Sequence, residues 1–355
     1  MTRLTMNDVT TKVKLIRFLV RYLGYIFTRI LARTTIIGLE NIPSDGPLIF
    51  AGNHASTFDA LMALIYLPSD VQLVGPGDFR FKWPARLAVE QTGIILAKRG
   101  SADRESLTQM TQVLKSGGKL ALFPEGGTWE KRLDDVKPGA AYLSHMCNAP
   151  IIPIAIGGTY QVWYKILKLR RPKVNMIFLP PLPPVEIPNR KERQAKLQEA
   201  SLELMQHIYD HLPPDEQARY NLHARQIFRG ILETAPDTLN RDSLPDFGVL
   251  AELISKPNLF HPLKEHAKRE MKVFRKPHQF TSAIRFQVAV DTLYDALKNH
   301  FPDYLDYRLG SQKARKGMEE LEILRQMAAQ AVELDVALRF VPSVTIADHP
   351  LPANI

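Results

Sequence analysis

Residues 48–59 read LIFAGNHASTFD, a short apolar run that gives way to a polar loop and then to a second apolar stretch. The run that ends at Gly52 predicts a strand, and the pattern from Phe58 onward predicts a helix. Open α/β sheets place their functional sites in the loops that follow strands. The His54 and Asp59 side chains therefore lie where a site is expected.

The same alternation of apolar runs and helical stretches extends from Thr34 to Phe178. It predicts an α/β fold with a mixed, mainly parallel sheet flanked by helices. The predicted strands are Thr34–Gly38, Leu48–Gly52, Val71–Val74, Gly93–Leu96, Lys119–Phe123, Ile151–Ile156 and Val174–Leu179. The predicted helices are Phe58–Leu67, Phe81–Gln91, Asp103–Lys115, Gly139–Cys147 and, after a proline-rich segment, Lys191–His211.

Three segments follow from this pattern. Residues 1–33 are predicted to hold an N-terminal amphipathic membrane-interface helix, and residues 34–212 the α/β domain. Residues 213–355 are predicted to be an α-helical C-terminal region with few strand-like runs, and Met318–Leu338 is an example of its helical pattern.

The composition is that of an ordinary globular protein, with 355 residues, 45% of them apolar and 23% charged. The single cysteine, Cys147, excludes a disulfide framework and a multi-thiolate metal site within one chain. A reducing, cytoplasmic location is therefore expected. The net charge of +9 favours an anionic partner, such as a nucleic acid, a membrane surface, an acidic carrier protein or a phosphorylated substrate.

Leu15–Leu31 reads LIRFLVRYLGYIFTRIL, and three arginines interrupt its apolar residues. No stretch reaches the roughly 18 uncharged residues of a bilayer-spanning helix, so we expect no transmembrane span. The first 35 residues contain seven basic residues and one acidic residue. Peripheral attachment to a membrane is therefore expected, with a helix packed on its own domain as the alternative.

The spacing of His54 and Asp59 lets them meet across the turn from loop to helix. A carboxylate can accept a hydrogen bond from one imidazole nitrogen while the other nitrogen takes a proton from a hydroxyl. Such a pair needs no protein nucleophile if the substrate supplies the hydroxyl. The alternative is a surface histidine beside an aspartate that caps the helix.

Two further stretches follow predicted strands. KLALFPEGGTWE, residues 119–130, offers the Glu125 carboxylate and two glycines that let a backbone approach a ligand, although a plain tight turn has the same sequence. GIILAKRG, residues 93–100, ends in Lys98 and Arg99, which can bind a phosphate or remain a solvated charge pair.

Taken together and in this order, these stretches resemble the glycerolipid acyltransferases typified by 1-acylglycerol-3-phosphate acyltransferases. That family carries N-H-x4-D, a strand-terminal G-x-I-x-x-x-R, F-P-E-G-T-R-S and an apolar strand with an internal proline. The resemblance covers roughly Ile26 to Pro188. The matching residues are His54 and Asp59, then Gly93 and Arg99, then Phe123-Pro124-Glu125-Gly126, then Ala149-Pro150-Ile151-Ile152-Pro153-Ile154.

The resemblance implies transfer of an acyl group from acyl-CoA or acyl carrier protein to a lipid hydroxyl, with no further cofactor, no metal and no nucleic-acid partner. His54 would be the general base, and Asp59 would orient it. The implied substrate-binding residues are Lys98, Arg99, Glu125, Gly126, Gly127 and Thr128. The implied supporting residues are Asn53, Phe123, Pro124 and Pro153.

One departure concerns the acceptor phosphate. The chain has Gly127-Thr128-Trp129 where the family has Thr-Arg, so a basic contact is missing unless a nearby cation replaces it. The candidate replacements are Lys131, Arg132 and Lys137.

Alternative functions stay open at this stage. A thioester or lipid hydrolase would use the same His54 and Asp59 pair, and a basic module that binds membranes or nucleic acids would use neither. His207 and His211, with Glu203 one turn earlier, have a spacing that could bind zinc, but no H-E-x-x-H pattern is present. A basic and aromatic cluster could contact a membrane or an acyl carrier, or be a solvated turn; it comprises Trp163, Tyr164, Lys165, Lys168, Arg170, Arg171 and Lys173.

Overall fold

The computed structural model describes residues 11–77, 92–98, 103–128, 132–236, 246–255, 269–274, 276 and 278–349, with the backbone alone for residues 11–17. The chain divides into two compact units between Ala224 and Arg225. The sequence pattern predicts the boundary at residue 213, eleven residues before the end of the first unit at Ala224. The helix Pro214–Ala224 therefore belongs to the first unit. The predicted helix Phe81–Gln91 lies outside the described residues.

A seven-stranded sheet forms the centre of the first unit. Its strands are β1 Arg33–Ile37, β2 Leu48–Gly52, β3 Val71–Pro76, β4 Ile95–Ala97, β5 Lys119–Leu122, β6 Ile151–Gly157 and β7 Lys173–Phe178. Their order is β1-β7-β6-β2-β5-β3-β4. All neighbouring strands are parallel except β6 and β7, which are antiparallel. The predicted α/β fold with a mixed, mainly parallel sheet is confirmed.

Helices flank this sheet. They are α1 Thr11–Leu31, α2 Thr57–Tyr66, α3 Arg104–Lys115, α4 Gly139–Cys147, α5 Val162–Leu167, α6 Arg193–Asp210 and α7 Pro214–Ala224. The sequence pattern did not predict α5 or α7. Proline is well tolerated in the first turn of a helix, and α7 begins with Pro214.

The two faces of the sheet carry two separate hydrophobic cores, and strand β2 contributes to both. Leu48 and Phe50 pack into one core, while Ile49 and Ala51 pack into the other. Side chains alternate between the faces of a strand, so a strand covered on both sides must be apolar at every position. All five residues of β2 are indeed buried.

Parallel pairing also determines where the loops meet. Strands β6, β2 and β5 are neighbours and run in the same direction, so the residues that follow their carboxyl ends lie along one edge of the sheet. Strands β3 and β4 continue this parallel set. The loops after β2, β5 and β6 are therefore adjacent in space.

The second unit has a separate core, formed mainly by its helices. These are α8 Gly248–Ser255, α9 Ala283–Asp295, α10 Tyr304–Leu309 and α11 Ser311–Glu333. They pack with a ten-residue antiparallel pair of strands, β8 Gln226–Ala235 and β9 Ala337–Ile346. Fully buried members of this core include Phe247, Phe286 and Leu321.

The C-terminal region holds the predicted helices, and the strand pair β8–β9 is an addition that the sequence pattern does not predict. The predicted helix Met318–Leu338 ends at Glu333, and Leu338 lies in β9. Asp335 has a left-handed φ of 51°, a conformation that ends helices, so the chain leaves the helix before residue 337.

Candidate active site

The turn from β2 into α2 brings His54 and Asp59 together. The Ser56 side chain accepts a hydrogen bond from the Phe58 N–H at 3.1 Å, and Asp59 Oδ2 accepts one from the Ser56 N–H at 2.8 Å. This capping box satisfies backbone donors of the first helical turn and turns the Asp59 carboxylate back towards the loop. His54 Nδ1 then lies 3.2 Å from Asp59 Oδ2.

Burial separates the roles of these two side chains. Asp59 is fully buried, whereas the His54 side chain remains 14% exposed. Because Nδ1 faces the carboxylate, Nε2 is the imidazole nitrogen left for a reacting group. The pairing predicted from the spacing is therefore present, in an orientation suited to proton transfer.

Phe123 and Glu125, in the loop after β5, restrain His54 from other directions. The Phe123 ring stacks on the imidazole with a centroid distance of 4.1 Å and an interplanar angle of 10°. The His54 N–H donates to Glu125 Oε1 at 3.1 Å. The F-P-E-G stretch thus contacts both the ring and the backbone of His54.

Asn53 ties the start of the loop to the neighbouring strand β6. Its side-chain amide donates to the Ile156 carbonyl at 2.9 Å and accepts from the Ile156 N–H at 2.8 Å. These two side-chain bonds attach the residue directly after β2 to strand β6, beyond the last backbone pair of Gly52 with Ile154. The buried Asn53 therefore fixes the backbone directly before His54, as a supporting residue should.

The loop after β5 is a tight turn. The Gly126 N–H donates to the Phe123 carbonyl at 2.9 Å, and Gly126 has a φ of 73°, which favours glycine. The Pro124 carbonyl accepts from the Lys137 N–H at 2.9 Å. Both the turn and the buried carboxylate of Glu125 are therefore present, with Gly127 and Thr128 directly after them.

The structure does not bring Lys98 into contact with the His54 and Asp59 pair. Lys98 follows β4, three strands away from β2, or about 14 Å along the sheet edge at a strand spacing of about 4.8 Å. Its backbone N–H donates to Asp103 Oδ2 at 2.9 Å. Arg99 lies outside the described residues.

Pro153 and the candidate replacement cations can also be located. Pro153 lies in β6, in register with Ala51 of β2, and its carbonyl accepts from the Leu179 N–H at 2.9 Å. Arg132 Nη2 is 2.8 Å from Asp134 Oδ2. Lys131 lies outside the described residues.

Two site residues were missed by the sequence analysis, and both lie on α7. Tyr220 donates its hydroxyl to Glu125 Oε1 at 2.7 Å, and Glu216 accepts from the Gly158 N–H at 2.7 Å. Burial, together with the negative charge of Glu125, raises the pKa of Tyr220 well above its ordinary value. Burial raises the pKa of Glu216 to about 7. No local motif marks these residues, because each acts on a loop far away in sequence.

Other titratable side chains stand apart from this site. Burial raises the pKa of the Cys147 thiol, which disfavours the thiolate form that a nucleophile needs. His211 Nδ1 lies 2.8 Å from the His207 carbonyl, and His207 lies 3.9 Å from Glu203. In the part of the chain that the structure describes, no group of three or more His, Cys, Asp or Glu side chains could hold a metal ion.

A fully buried carboxylate thus holds a largely buried imidazole, 14% exposed, at a strand end of an α/β fold, an arrangement suited to acid–base chemistry. Residues 33–157 match the sequence model of the family described as Acyltransferase. This match covers about a third of the chain and bears out, over that segment, the resemblance to acyltransferases that the motifs indicate.

Similar curated proteins carry a more specific name. The probable 1-acyl-sn-glycerol-3-phosphate acyltransferase of Mycoplasma pneumoniae is 26% identical over 173 residues, which are 43% of this chain and 63% of that protein. The 1-acyl-sn-glycerol-3-phosphate acyltransferase of Limnanthes alba is 28% identical over 144 residues, 38% of this chain and 50% of that protein. The chain thus spans between half and just under two thirds of the length of these relatives.

Among solved structures, the chain shares 20% identity and a TM-score of 0.41 with the crystal structure of the 1-acyl-sn-glycerophosphate (LPA) acyltransferase, PlsC, from Thermotoga maritima. The superposition covers 55% of this chain and 80% of that one.

Proposed function

We propose that this protein transfers a fatty acyl group from a thioester donor, acyl-CoA or acyl carrier protein, to a hydroxyl of a lysophospholipid or a related lipid. The observation that carries the proposal is the 3.2 Å pairing of His54 Nδ1 with the buried Asp59, within the segment that matches the acyltransferase family. The names of the relatives make 1-acylglycerol 3-phosphate the first acceptor to test.

In the proposed mechanism, His54 Nε2 takes the proton of the acceptor hydroxyl as its oxygen attacks the thioester carbonyl. The resulting imidazolium donates through Nδ1 to the Asp59 carboxylate, which stabilises its charge. The tetrahedral intermediate then collapses: the carbon–sulfur bond breaks, the new ester remains, and the thiolate recovers the proton from His54. The acceptor supplies the nucleophile, so neither a serine nor Cys147 has to attack.

We assign the acceptor side of the site to the loop after β5 and to the end of β4. Gly126, Gly127 and Thr128 would line the space beside His54, while Glu125 holds the loop. Lys98, at the same sheet edge, and Arg99, the next residue in the sequence, would bind a negatively charged head group. Support for this assignment comes from the parallel strand order, which places the ends of β2, β5 and β4 on one side.

The proposal is tested by incubating the protein with radiolabelled acyl-CoA or acyl carrier protein and a panel of lysophospholipids and simple alcohols. We expect labelled diacyl product from at least one lysophospholipid. Release of free fatty acid alone, regardless of acceptor, would instead favour a hydrolase that passes the acyl group to water. Absence of both products, with salt-sensitive binding to DNA or RNA, would favour a binding module.

We further propose that the protein attaches peripherally to an anionic lipid surface. Within the described ranges, no helix has both the length and the apolar character needed to cross a bilayer. One side of α1 packs on its own domain through small residues: Gly24 approaches Ile65, and the buried Thr28 lies 2.8 Å from the Tyr66 hydroxyl. Its large apolar side chains Phe18 and Leu23 are each more than 60% exposed.

The basic and aromatic cluster after β6 adjoins this helix. Arg171 Nη2 donates to the Arg29 carbonyl at 2.7 Å, and the Trp163 and Phe27 rings lie 6.5 Å apart. Leu167 and Leu169, in the same segment, are 82% and 89% exposed. Exposed leucines among lysines and arginines are typical of a surface that inserts between anionic head groups.

This surface is connected to the active site. Trp163 Nε1 donates to Thr57 Oγ1 at 2.9 Å, and Thr57 begins the helix that carries Asp59. A lipid acceptor lifted from the bilayer would therefore have a short path to His54. The hydrogen bond between Trp163 in the cluster and Thr57 at the start of α2 supports this path.

Co-sedimentation with liposomes that contain anionic phospholipid tests the attachment. The full-length double variant Leu167→Ser/Leu169→Ser should bind at least about tenfold more weakly, because inserting one leucine contributes about 1.5–3 kcal/mol. Leu334→Ser, which changes a leucine that is 65% exposed in the second unit, is the matched control. Equal binding by both variants would show that the cluster does not touch lipid.

A further inference from the structure

The Glu125 carboxylate connects two parts of the chain that are distant in sequence. Its Oε1 accepts the Tyr220 hydroxyl at 2.7 Å and the His54 N–H at 3.1 Å. One oxygen atom thus joins α7 to the residue that carries the imidazole. Glu125 is itself buried, so water competes little for these bonds.

We infer that Tyr220 is a positioning residue of the active site, which holds the Glu125 carboxylate where it fixes the backbone of His54. This inference rests on the proposed function, since it assigns Tyr220 to the machinery around the proposed base. Tyr220 lies outside the segment 33–157 that matches the acyltransferase family.

The surroundings of Tyr220 suit it to act as a permanent donor. Its phenol is buried beside Glu125, with Glu216 and Asp59 adding negative charge. All these influences raise the pKa of Tyr220, so the hydroxyl keeps its proton across the working pH range. It therefore donates a hydrogen bond to Glu125 and does not place a second negative charge beside that carboxylate.

Helix α7 is itself held firmly against the sheet. Glu216, one turn before Tyr220, accepts the Gly158 N–H directly after β6. On the other side, the Tyr209 ring of α6 meets the Tyr220 ring edge to face at 6.0 Å, and the Tyr209 carbonyl accepts from Gln217 Nε2 at 2.8 Å. The Tyr220 hydroxyl is thus placed by contacts with both the sheet and α6.

The imidazole of His54 is then restrained in three ways. Asp59 holds Nδ1, the Phe123 ring covers one face, and Glu125 holds the backbone N–H. Without the Tyr220 hydroxyl, the Glu125 carboxylate loses one of its donors and its fixed orientation. A displacement of the base by even 1 Å can cost up to about 100-fold in rate.

The test compares Tyr220→Phe with Tyr209→Phe. Both changes remove one phenolic hydroxyl from the same ring pair, but the Tyr209 hydroxyl donates to Asn221 and not to the site. We expect Tyr220→Phe to lower kcat about tenfold with little change in either KM. Tyr209→Phe should keep kcat within twofold of the wild type.

A double variant shows whether Tyr220 acts through Glu125. If it does, Tyr220→Phe should cost no further activity in a Glu125→Ala background, because the link is already broken. If the two losses multiply, Tyr220 acts independently and the inference is overturned.

Hydrogen exchange at the His54 amide provides a readout that does not depend on activity. The amide should exchange faster in Tyr220→Phe than in the wild type, and at the wild-type rate in Tyr209→Phe. Unchanged exchange together with unchanged kcat overturns the inference. If the wild type transfers no acyl group, the proposed function fails, and the exchange rates alone decide whether Tyr220 holds His54 through Glu125.

Discussion

Replacing Glu216 by glutamine should make the first unit more stable at high pH and leave its stability at low pH nearly unchanged. Glu216 is only 4% exposed. Burial is the main cause that raises its pKa from the ordinary 4.5 to about 7; Asp59 and Asp215 act in the same direction, and the Gly158 N–H and Arg219 oppose them. The amide of glutamine can still accept the Gly158 N–H but carries no charge.

The sign of the effect follows from proton binding. A carboxyl with a higher pKa in the folded protein than in the unfolded chain binds more protons when folded. Its contribution to stability is therefore complete below pH 4.5 and is lost as the pH rises through 7. At about 1.4 kcal/mol per pH unit, the loss amounts to about 3 kcal/mol by pH 8.

The assay is urea unfolding at pH values from 5 to 8, followed by tryptophan fluorescence. All three tryptophans, Trp83, Trp129 and Trp163, precede Ala224, so the signal reports the first unit alone. The free energy of unfolding of Glu216→Gln should exceed that of the wild type by a margin that grows with pH to about 3 kcal/mol.

A surface carboxyl provides the control for this prediction. Glu203 is 65% exposed, and Glu203→Gln should change the free energy of unfolding by less than about 0.5 kcal/mol at any pH. If the wild type and Glu216→Gln have parallel stability curves from pH 5 to 8, Glu216 is already ionised without penalty, and the reasoning from its burial is refuted.

The other predictions concern the acyl transfer assay. His54→Ala should lower kcat by about 10²–10⁴ without unfolding the protein, since a general base contributes about that factor; His207→Ala, an exposed histidine on α6, should have no effect. Asp59→Asn should cause a similar or smaller loss, because the imidazole loses its orienting carboxylate; full activity in either variant would contradict the mechanism. Arg99→Ala should raise the KM of the acceptor more than that of the acyl donor, and the reverse pattern would mean that Arg99 binds the donor.

The sheet of the first unit could be predicted because its central strands are continuous apolar segments in the sequence. Strand β6 is buried at all seven positions, so it appears as an uninterrupted apolar run. Strands β8 and β9 are different: their buried residues are interspersed with half-buried and exposed ones, including Arg229 and Glu233. A strand pair with one face outward does not produce an uninterrupted apolar run. The β8–β9 pair forms because the helices of the second unit pack on its other face.

Whether a residue of the site could be predicted depends on how far apart in the sequence its contacts lie. His54, Asp59 and the capping box between them lie within six residues, so the spacing shows that the two side chains can meet, and the resemblance to the N-H-x4-D motif favours the pairing over a merely capping aspartate. Phe123 and Glu125 were identified through a motif, although their contacts with His54 span about 70 residues. Tyr220 reaches Glu125 across 95 residues and belongs to no motif, so only the folded chain reveals it.

The position of the boundary between the units therefore matters for function as well as for folding. A chain cut at residue 212, the predicted end of the α/β domain, would retain every motif residue from Asn53 to Pro153. It would also lose α7, and with it the Tyr220 hydroxyl bound to Glu125 and the Glu216 carboxylate bound to Gly158. The buried Glu125 would then keep the His54 backbone N–H but lose the Tyr220 hydroxyl, and the loss of one hydrogen bond to a charged group costs about 1.5–3 kcal/mol. If Tyr220 positions His54 as we infer, the active site of this chain includes a helix beyond the matched segment 33–157, and the compact unit that contains that helix extends to Ala224.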